Sequence, residues 1–318
     1  MRRLRILTWH LHGAYLLYLT QAPHDFHVIS KPGRPPGYAG KHGHIPWGDN
    51  VHDMPVERLR DTEFDLVLYQ DDPHWLTDRH ELLSAAQRRL PSIYLEHDPP
   101  LEHPTEQRHF VDDANTLLVH VTPFNALMWD AGACPSRVIE HGVIDPRLRD
   151  PRAAFNGELA RGITAINHVL RRGRRLGGDL FLQARERVPI DLVGMAAEEA
   201  GGLGEVIHKD LPAFSARYRF FFNPIRYTSM GLAVIEAMLV GLPVVGLATT
   251  EMATAIRDGE SGFVHTDPAK LVEAMQALLR DEGEARRLGE GARRAALERF
   301  GMDRFVADWN DAFAQVAG

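Results

Sequence analysis

The sequence holds one cysteine, Cys134, in 318 residues, which excludes an internal disulfide framework and indicates a cytoplasmic protein. Its apolar runs fall short of the roughly 20 residues that a membrane-spanning helix requires. A basic segment opens the chain, but the apolar run behind it is short and predicts a strand rather than a signal peptide. Low-complexity tracts and internal repeats are also missing. These absences leave a soluble globular protein as the expectation.

Basic residues are also fewer than acidic residues. The chain has 36 Lys and Arg against 43 Asp and Glu, and its net charge of −7 argues against a nucleic-acid-binding protein. Residues 1–150 hold 15 basic and 21 acidic side chains, and the remainder holds 21 and 22. The relatively basic second half suits a ligand that carries phosphate. The acidic first half has no basic amphipathic helix, which argues against binding at a membrane surface.

The most apolar stretch of the chain, residues 230–240, carries one polar side chain, Glu236. Such a segment predicts a helix that is buried on most sides. Thr228 or Ser229 can cap its start and Gly241 can end it. The LPVVGL segment that follows predicts a strand of a parallel sheet. A buried carboxylate is costly without a partner, so Glu236 requires one from the protein or from a ligand.

Short apolar segments alternate with helical patterns along the chain, which predicts βαβ units and parallel sheets. Predicted strands cover residues 4–8, 26–30, 64–69, 92–95, 116–121, 137–140, 163–167, 189–193, 219–223 and 242–247. Predicted helices cover residues 78–89, 125–131, 268–280 and 284–299, besides the two apolar helices ending at 19 and 240 and the helix after the arginine-rich loop, which ends at about residue 187. No GxGxxG fingerprint follows the first strand, so a dinucleotide-binding signature is absent.

The same pattern divides the chain into two domains. Residues 31–55 are rich in Pro, Gly and His and predict a long loop, and residues 145–158 predict an interdomain linker. The first domain then covers residues 1–148 and the second 149–300. Residues 301–318 form a terminal amphipathic helix that packs back toward the first domain.

Nine residues, several of them polar, stand just past the carboxyl ends of the predicted strands in the first domain. Ligands of open parallel sheets bind outside those ends, so these side chains are expected to converge. They are His10, His12, Gly13, Gln70, Asp71, His97, Asp98, Thr122 and His141.

Three segments together resemble the GT-B glycosyltransferases, and most of all the large retaining group called family four. They are HGVID at 141–145, GLAVIEAMLVGLPVV at 231–245 and DGESGFV at 258–264. The resemblance is firm over residues 137–318 and looser over 1–136. It implies an α/β fold of two Rossmann-like domains whose parallel sheets face an interdomain cleft. It also implies sugar transfer from a UDP- or GDP-type donor to an acceptor hydroxyl, with retention and without metal or cofactor.

The resemblance assigns donor contacts to the second domain. Glu236 matches the carboxylate that bonds the ribose hydroxyls, whereas Thr228 stands where the family has a second Glu beside the transferred sugar. His208 and Lys209 fall where the family meets the nucleobase. The helix start formed by Ser229, Met230, Gly231 and Leu232 offers free backbone N–H groups and the helix dipole to a phosphate, independently of any resemblance.

An arginine-rich segment, LRRGRRLGGD, precedes the next helix of this domain. The family holds the diphosphate there with an Arg and, five residues on, a Lys. Counting back from Asp179 places Arg171 at the first position and Leu176 at the second, with Arg175 as the substitute. An Arg fork suits phosphate oxygens and offsets the charge of the leaving group.

In the first domain the resemblance places His97 near the donor sugar, for sugar contact or proton handling, with Glu96 or Asp98 to orient it. His10, His12 and Gly13 fill the position of the family's glycine-rich turn. Acceptor-side residues are expected among Gln70, Asp71, Asp72, Thr122 and His141, the last of which replaces a family Asn.

Two kinds of alternative stay open at this stage. His42 and His44 raise the idea of a metal site, but ligation needs a convergent third ligand, and a solvated loop is the preferred interpretation. Because Thr228 and Leu176 depart from the family pattern, a non-catalytic nucleotide-sugar-binding protein is one alternative function. A nucleotide-sugar epimerase or a phosphorylase-type enzyme is another. The base and sugar of the donor, the acceptor and the oligomeric state are not encoded in any recognisable pattern.

Overall fold

The structure is a computed structural model that describes residues 2–11, 13–43 and 45–318. Its contacts form two compact units. The first consists of Met1–Gly142 with Met302–Gly318, and the second of Val143–Gly301. The contact boundary thus lies at Gly142, against a predicted domain boundary at 148. Within the described ranges, no helix has the length and apolar character needed to cross a membrane.

The first unit is built on a parallel sheet of seven strands in the order β3-β2-β1-β4-β5-β6-β7. They are β1 (Arg5–Trp9), β2 (Asp25–Ser30), β3 (Val51–Pro55), β4 (Leu66–Tyr69), β5 (Ser92–Glu96), β6 (Thr116–His120) and β7 (Ser136–Val138). Its helices include α1 (Gly13–Leu19), α2 (Arg79–Glu81) and α3 (Pro123–Met128). Glu96 pairs with His120 across β5 and β6, so the carboxyl ends of these strands meet at one edge.

Two predictions for this unit are wrong. Strand β3 lies within the predicted loop 31–55, because a strand at the sheet edge tolerates polar residues and a proline. The predicted helix 78–89 is broken into a π turn (His74–Asp78), α2 and a 3₁₀ turn (Gln87–Arg89). Ser84 and Gln87 exchange side-chain hydrogen bonds with each other's backbone N–H, which competes with a continuous helix.

The second unit contains a parallel sheet of five strands in the order β12-β11-β10-β8-β9. They are β8 (Leu159–Ala165), β9 (Ile190–Val193), β10 (Tyr218–Asn223), β11 (Val244–Leu247) and β12 (Gly262–His265). Its helices are α4 (Gly178–Arg185), α5 (Leu211–Ser215), α6 (Leu232–Val240), α7 (Met252–Ala255), α8 (Pro268–Arg280) and α9 (Glu282–Arg299). The predicted α/β alternation with parallel sheets is confirmed in both units.

Helix α6 is enclosed because it has no polar face to present to water. Every residue from Val234 to Val240 is buried, and the helix ends at Gly241 in the left-handed region (φ 91°), as predicted. Helix α9 lies against its C-terminal end, where a Cβ at Gly289 would come within 1.9 Å of the Gly241 carbonyl oxygen. Arg293 on α9 also donates to the Leu239 carbonyl, which satisfies one of the last carbonyls of α6.

The last helix, α10 (Met302–Ala317), returns to the first unit. Its apolar face consists of Phe305, Trp309 and Phe313, and all three are fully buried. Phe305 packs edge-on against Tyr15 of α1, with ring centroids 5.8 Å apart. Fully burying aromatic side chains of this size stabilises the packing by about 2–3 kcal/mol each.

Candidate functional site

The start of α6 leaves backbone N–H groups open to a ligand. Its N-cap is Gly231 in an extended conformation (φ −73°, ψ 134°), with no side-chain cap from the described residues. The predicted capping by Thr228 or Ser229 is therefore wrong. The Val234 N–H donates to the Gly231 carbonyl (3.1 Å), whereas the N–H groups at the first two positions of a helix, here Leu232 and Ala233, have no partner within it and need one from outside. A Cβ at Gly231 would meet no described atom within 4 Å, which leaves room for a phosphate to approach the backbone.

The neighbours of Gly231 face different surroundings. Met230 is buried at 3% exposure, so its side chain belongs to the core. Thr228, Ser229 and Leu232 are partly exposed. Any contact of Met230 with a donor would therefore run through its backbone.

Glu236, one turn along α6, is buried as predicted, at 5% exposure. Its Oε1 lies 2.7 Å from Nε2 of His208, which is the protein partner that the carboxylate requires. This hydrogen bond raises the pKa of His208 above its ordinary value, although burial acts in the opposite direction. The His208 side chain is 43% exposed, so the pair is open to solvent on the imidazole side. The resemblance places both His208 and Lys209 at the nucleobase. Lys209 is exposed.

The arginine-rich segment forms a 3₁₀ turn, Gly173–Leu176, directly before α4. Its Arg175 has a buried Nη1 atom without a hydrogen-bond partner among the described residues. A buried cationic N–H that finds no protein acceptor is expected to bind an anionic ligand. Arg171, the other predicted phosphate residue, is exposed. Leu176 is a core residue at 2% exposure, so the position where the family has a Lys points into the protein.

In the first unit, the structure joins Gln70 and His97 at the ends of β4 and β5. Gln70 donates its amide N–H groups to Thr8 Oγ1 (2.9 Å) and to the Trp9 carbonyl (3.3 Å). The amide oxygen of Gln70 therefore faces His97 and lies 3.3 Å from its Nε2. Because that oxygen is an acceptor, His97 donates from Nε2, and the contact fixes its tautomer.

Thr122 and His141 join the same region through other residues. Thr122 caps α3 by accepting from the Asn125 N–H (3.0 Å), and Asn125 Nδ2 donates to the His97 carbonyl (3.3 Å). The ring of Tyr15 stands edge-on to both His97 (5.0 Å) and His141 (5.5 Å). These predicted residues do converge, as the sheet topology requires.

A buried acid–base pair lies beside His97. Glu96 accepts from His109 Nε2 (2.9 Å) and from the Asp98 N–H (2.8 Å). His109 Nδ1 accepts from the Val111 N–H, so the proton of this imidazole is on Nε2. Burial raises the pKa of Glu96. The pair anchors the segment that carries His97.

Other predicted residues face elsewhere. His10 directs Nδ1 to the Gly40 carbonyl (2.7 Å) and stacks edge-on to Trp47. At Gly13 a Cβ would come within 2.6 Å of Ile45 Cδ1, so this glycine provides close packing. Asp71 and Asp72 are partly or fully exposed and Asp72 accepts from the Tyr94 hydroxyl at 3.3 Å. His12 and His44 lie outside the described residues.

The hypothesis of a metal site at His42 and His44 falls partly outside the described residues, because His44 does. In the described part of the chain, no group of three or more His, Cys, Asp or Glu could hold a metal ion.

Two residues of the site are not predicted from the sequence. Arg226 bonds the arginine turn, and Tyr15 contacts the rings of His97 and His141. Arg226 stands two residues before Thr228, and a basic side chain so close to the apolar helix was an available signal.

Comparison with known proteins gives consistent matches. Residues 186–281 match the family described as glycosyl transferases group 1. A D-inositol 3-phosphate glycosyltransferase from Catenulispora acidiphila is 32% identical over 298 residues, covering 75% of this chain and 71% of the relative. A D-inositol 3-phosphate glycosyltransferase from Streptomyces bingchenggensis is 38% identical over 90 residues. That match and three more to proteins of the same name cover only 20–24% of the relatives' length.

Several solved structures match nearly the whole chain. HepE from Anabaena, in complex with UDP-glucose, superposes with a TM-score of 0.68 at 16% identity, covering 98% of this chain and all of HepE. Sucrose-phosphate synthase from Thermosynechococcus elongatus gives a TM-score of 0.66 at 16% identity, covering 99% of each chain. At such identities the likeness establishes the fold.

Proposed function

The chain belongs to the glycosyl transferases group 1 family and has the GT-B fold, and from this premise we propose that it is an active glycosyltransferase. It transfers a sugar from a nucleotide-diphosphate sugar to an acceptor hydroxyl, with retention at the anomeric carbon and without a metal ion. One observation carries the proposal. On α6 a helix start open to an anion stands one turn before a buried carboxylate, Glu236.

The donor diphosphate is assigned to the helix start and the arginine turn. The N–H groups after Gly231 and the positive end of the helix dipole favour an anion. Arg175 adds a guanidinium whose buried Nη1 has no acceptor among the described residues, and Arg171 adds a second charge at the surface. As the bond between the anomeric carbon and the phosphate oxygen breaks, this positive charge stabilises the departing diphosphate.

The ribose is assigned to Glu236. His208 holds the carboxylate at Oε1, and burial strengthens the charged hydrogen bonds that such a group forms with ribose hydroxyls. UDP is the first nucleotide to test, because structural relatives were solved with UDP or UDP-glucose. Thr228 is assigned to the transferred sugar, where its hydroxyl replaces a carboxylate.

His97 is assigned to the proton of the acceptor hydroxyl. That proton must leave as the acceptor oxygen bonds to the anomeric carbon, and an imidazole accepts protons near neutral pH. Gln70 holds the Nε2–H side of His97, so the acceptor nitrogen of the ring is Nδ1. D-inositol 3-phosphate is the first acceptor to test, because the relatives described above are named D-inositol 3-phosphate glycosyltransferases.

Turnover assays separate this proposal from its alternatives. The protein is incubated with UDP-, GDP- and dTDP-sugars, with and without D-inositol 3-phosphate and a panel of other hydroxyl acceptors, in buffer containing EDTA. Acceptor-dependent release of one nucleotide, with a retained product by NMR, supports the proposal. An isomerised donor formed without acceptor would indicate an epimerase. Donor binding by calorimetry without turnover on any acceptor would indicate a binding protein.

A further inference from the structure

A bidentate ion pair joins the arginine turn to the segment before α6. Arg226 Nη1 lies 2.6 Å from Asp179 Oδ1, and Arg226 Nη2 lies 2.9 Å from Oδ2. Both side chains are only 26–28% exposed. The same Arg226 Nη1 donates to the Arg174 carbonyl (2.6 Å). Arg226 therefore holds both the 3₁₀ turn and the first turn of α4.

Backbone hydrogen bonds also connect the two segments at Arg175, the residue assigned to the phosphate. The N–H groups of Arg226 and Tyr227 both donate to the carbonyl of Arg175, at 3.0 and 3.2 Å. Gly177, in the left-handed region (φ 75°), lies so close to the second segment that a Cβ would come within 2.0 Å of the Pro224 carbonyl oxygen. The main chain of Arg175 is thus fixed against residues 224–227.

The pair also controls the local charge. Asp179 is the carboxylate next to the arginine turn, and it is engaged by Arg226 and, at 2.6 Å, by Arg174. These contacts, that of Arg226 first, lower the pKa of Asp179. A carboxylate already paired with two arginines does not compete for Arg175, whose Nη1 lacks a protein acceptor in the described part of the chain.

We propose that Arg226 and Asp179 are positioning residues that hold Arg175 in place for the diphosphate of the donor. This inference rests on the proposed function, because it needs Arg175 to contact phosphate. The Arg226–Asp179 pair should then affect the binding of the diphosphate and leave the binding of the nucleoside unchanged, because its contacts reach only Arg175 and the turn around it.

The test is the ratio of UDP to uridine affinity, measured by calorimetry, with uridine determined by competition. In Arg226→Met and Asp179→Asn, UDP affinity should fall about tenfold, equivalent to about 1.4 kcal/mol, while uridine affinity stays constant. Arg226→Lys should give an intermediate ratio, because an ammonium cannot bind both carboxylate oxygens in the planar fork geometry. The lysine variant also keeps the test valid if the methionine variant does not fold.

The control is the Arg161–Asp191 pair, which is also bidentate (3.0 and 2.6 Å) and joins β8 to β9 in the same unit. Asp191→Asn should lower Tm without changing the UDP to uridine ratio. If the Arg226 and Asp179 variants behave like this control, the positioning role is refuted. If Arg175→Ala leaves the ratio unchanged, the phosphate assignment fails as well. A ratio that falls in Arg175→Ala alone would refute only the role of the pair.

Discussion

Replacing Glu236 with Gln tests the central assignment, because it removes the charge and keeps the shape of the side chain. A hydrogen bond to a charged group contributes about 1.5–3 kcal/mol, so UDP affinity should fall roughly 10- to 150-fold. Glu236 is 5% exposed, which places the expected loss toward the upper part of this range. Calorimetry with UDP on the folded variant measures the change.

A nucleotide variant identifies the ribose as the partner. The wild-type protein should bind 2′-deoxy-UDP more weakly than UDP, and Glu236→Gln should bind the two nucleotides almost equally. The matched control is Asp145→Asn, since Asp145 is also a shielded carboxylate of this unit, paired with Arg293 at 2.6 Å. This control should leave UDP affinity unchanged. Equal UDP affinity in wild type and Glu236→Gln, or preserved 2′-hydroxyl discrimination, would refute the ribose assignment.

Three further predictions follow from the same contacts. Glu236 raises the pKa of His208 in the folded protein, so the contribution of this pair to the free energy of unfolding is complete below about pH 6 and is lost as pH rises through the raised pKa. Urea unfolding should therefore show His208→Gln most destabilising at low pH. A larger effect at pH 9 would contradict this. Gly231→Val should cost at most about 1 kcal/mol of stability, because its Cβ meets open space, yet weaken UDP about tenfold by covering the helix start; unchanged UDP affinity would exclude phosphate there. Gln70→Leu should lower kcat about tenfold with little change in donor KM, because His97 loses its orienting acceptor; steady-state kinetics with unaltered kcat would refute the role of this contact.

The local pattern of the sequence was sufficient to predict most of the architecture. Strands alternating with helices imply parallel sheets, and the apolar segment around Glu236 could only be a buried helix, because it has no polar face. The helix start was misplaced, since Thr228 and Ser229 are good capping residues by type while Gly231 takes the cap by backbone geometry. The predicted helix 78–89 is interrupted because Ser84 and Gln87 form side-chain hydrogen bonds to the backbone, and hydrophobic periodicity does not reveal such bonds.

Contacts between distant residues were beyond such reasoning. Glu236 plainly needed a partner, but nothing in the chain identified His208, which precedes it by 28 positions. Gln70 and His97 were expected at one edge of a sheet, and only the hydrogen bonds of Gln70 to its neighbours show which of its amide atoms faces the imidazole. Arg226 was missed because its partner, Asp179, lies 47 positions away.

Two of the departures from the family pattern, at Leu176 and Thr228, differ in their consequences. Leu176 replaces a Lys, but it is buried at 2% exposure, and a lysine there would require desolvation of its charge. The turn instead provides Arg175, one residue earlier, and fixes its carbonyl with two N–H groups. We therefore propose that Arg175 takes the role of the Lys at the diphosphate. Thr228 is partly exposed and follows directly on those anchored residues, so it is held in place without being part of the core. Because Thr228 stands where the family has a carboxylate beside the transferred sugar, we expect this difference to affect the choice of sugar and not the binding of phosphate.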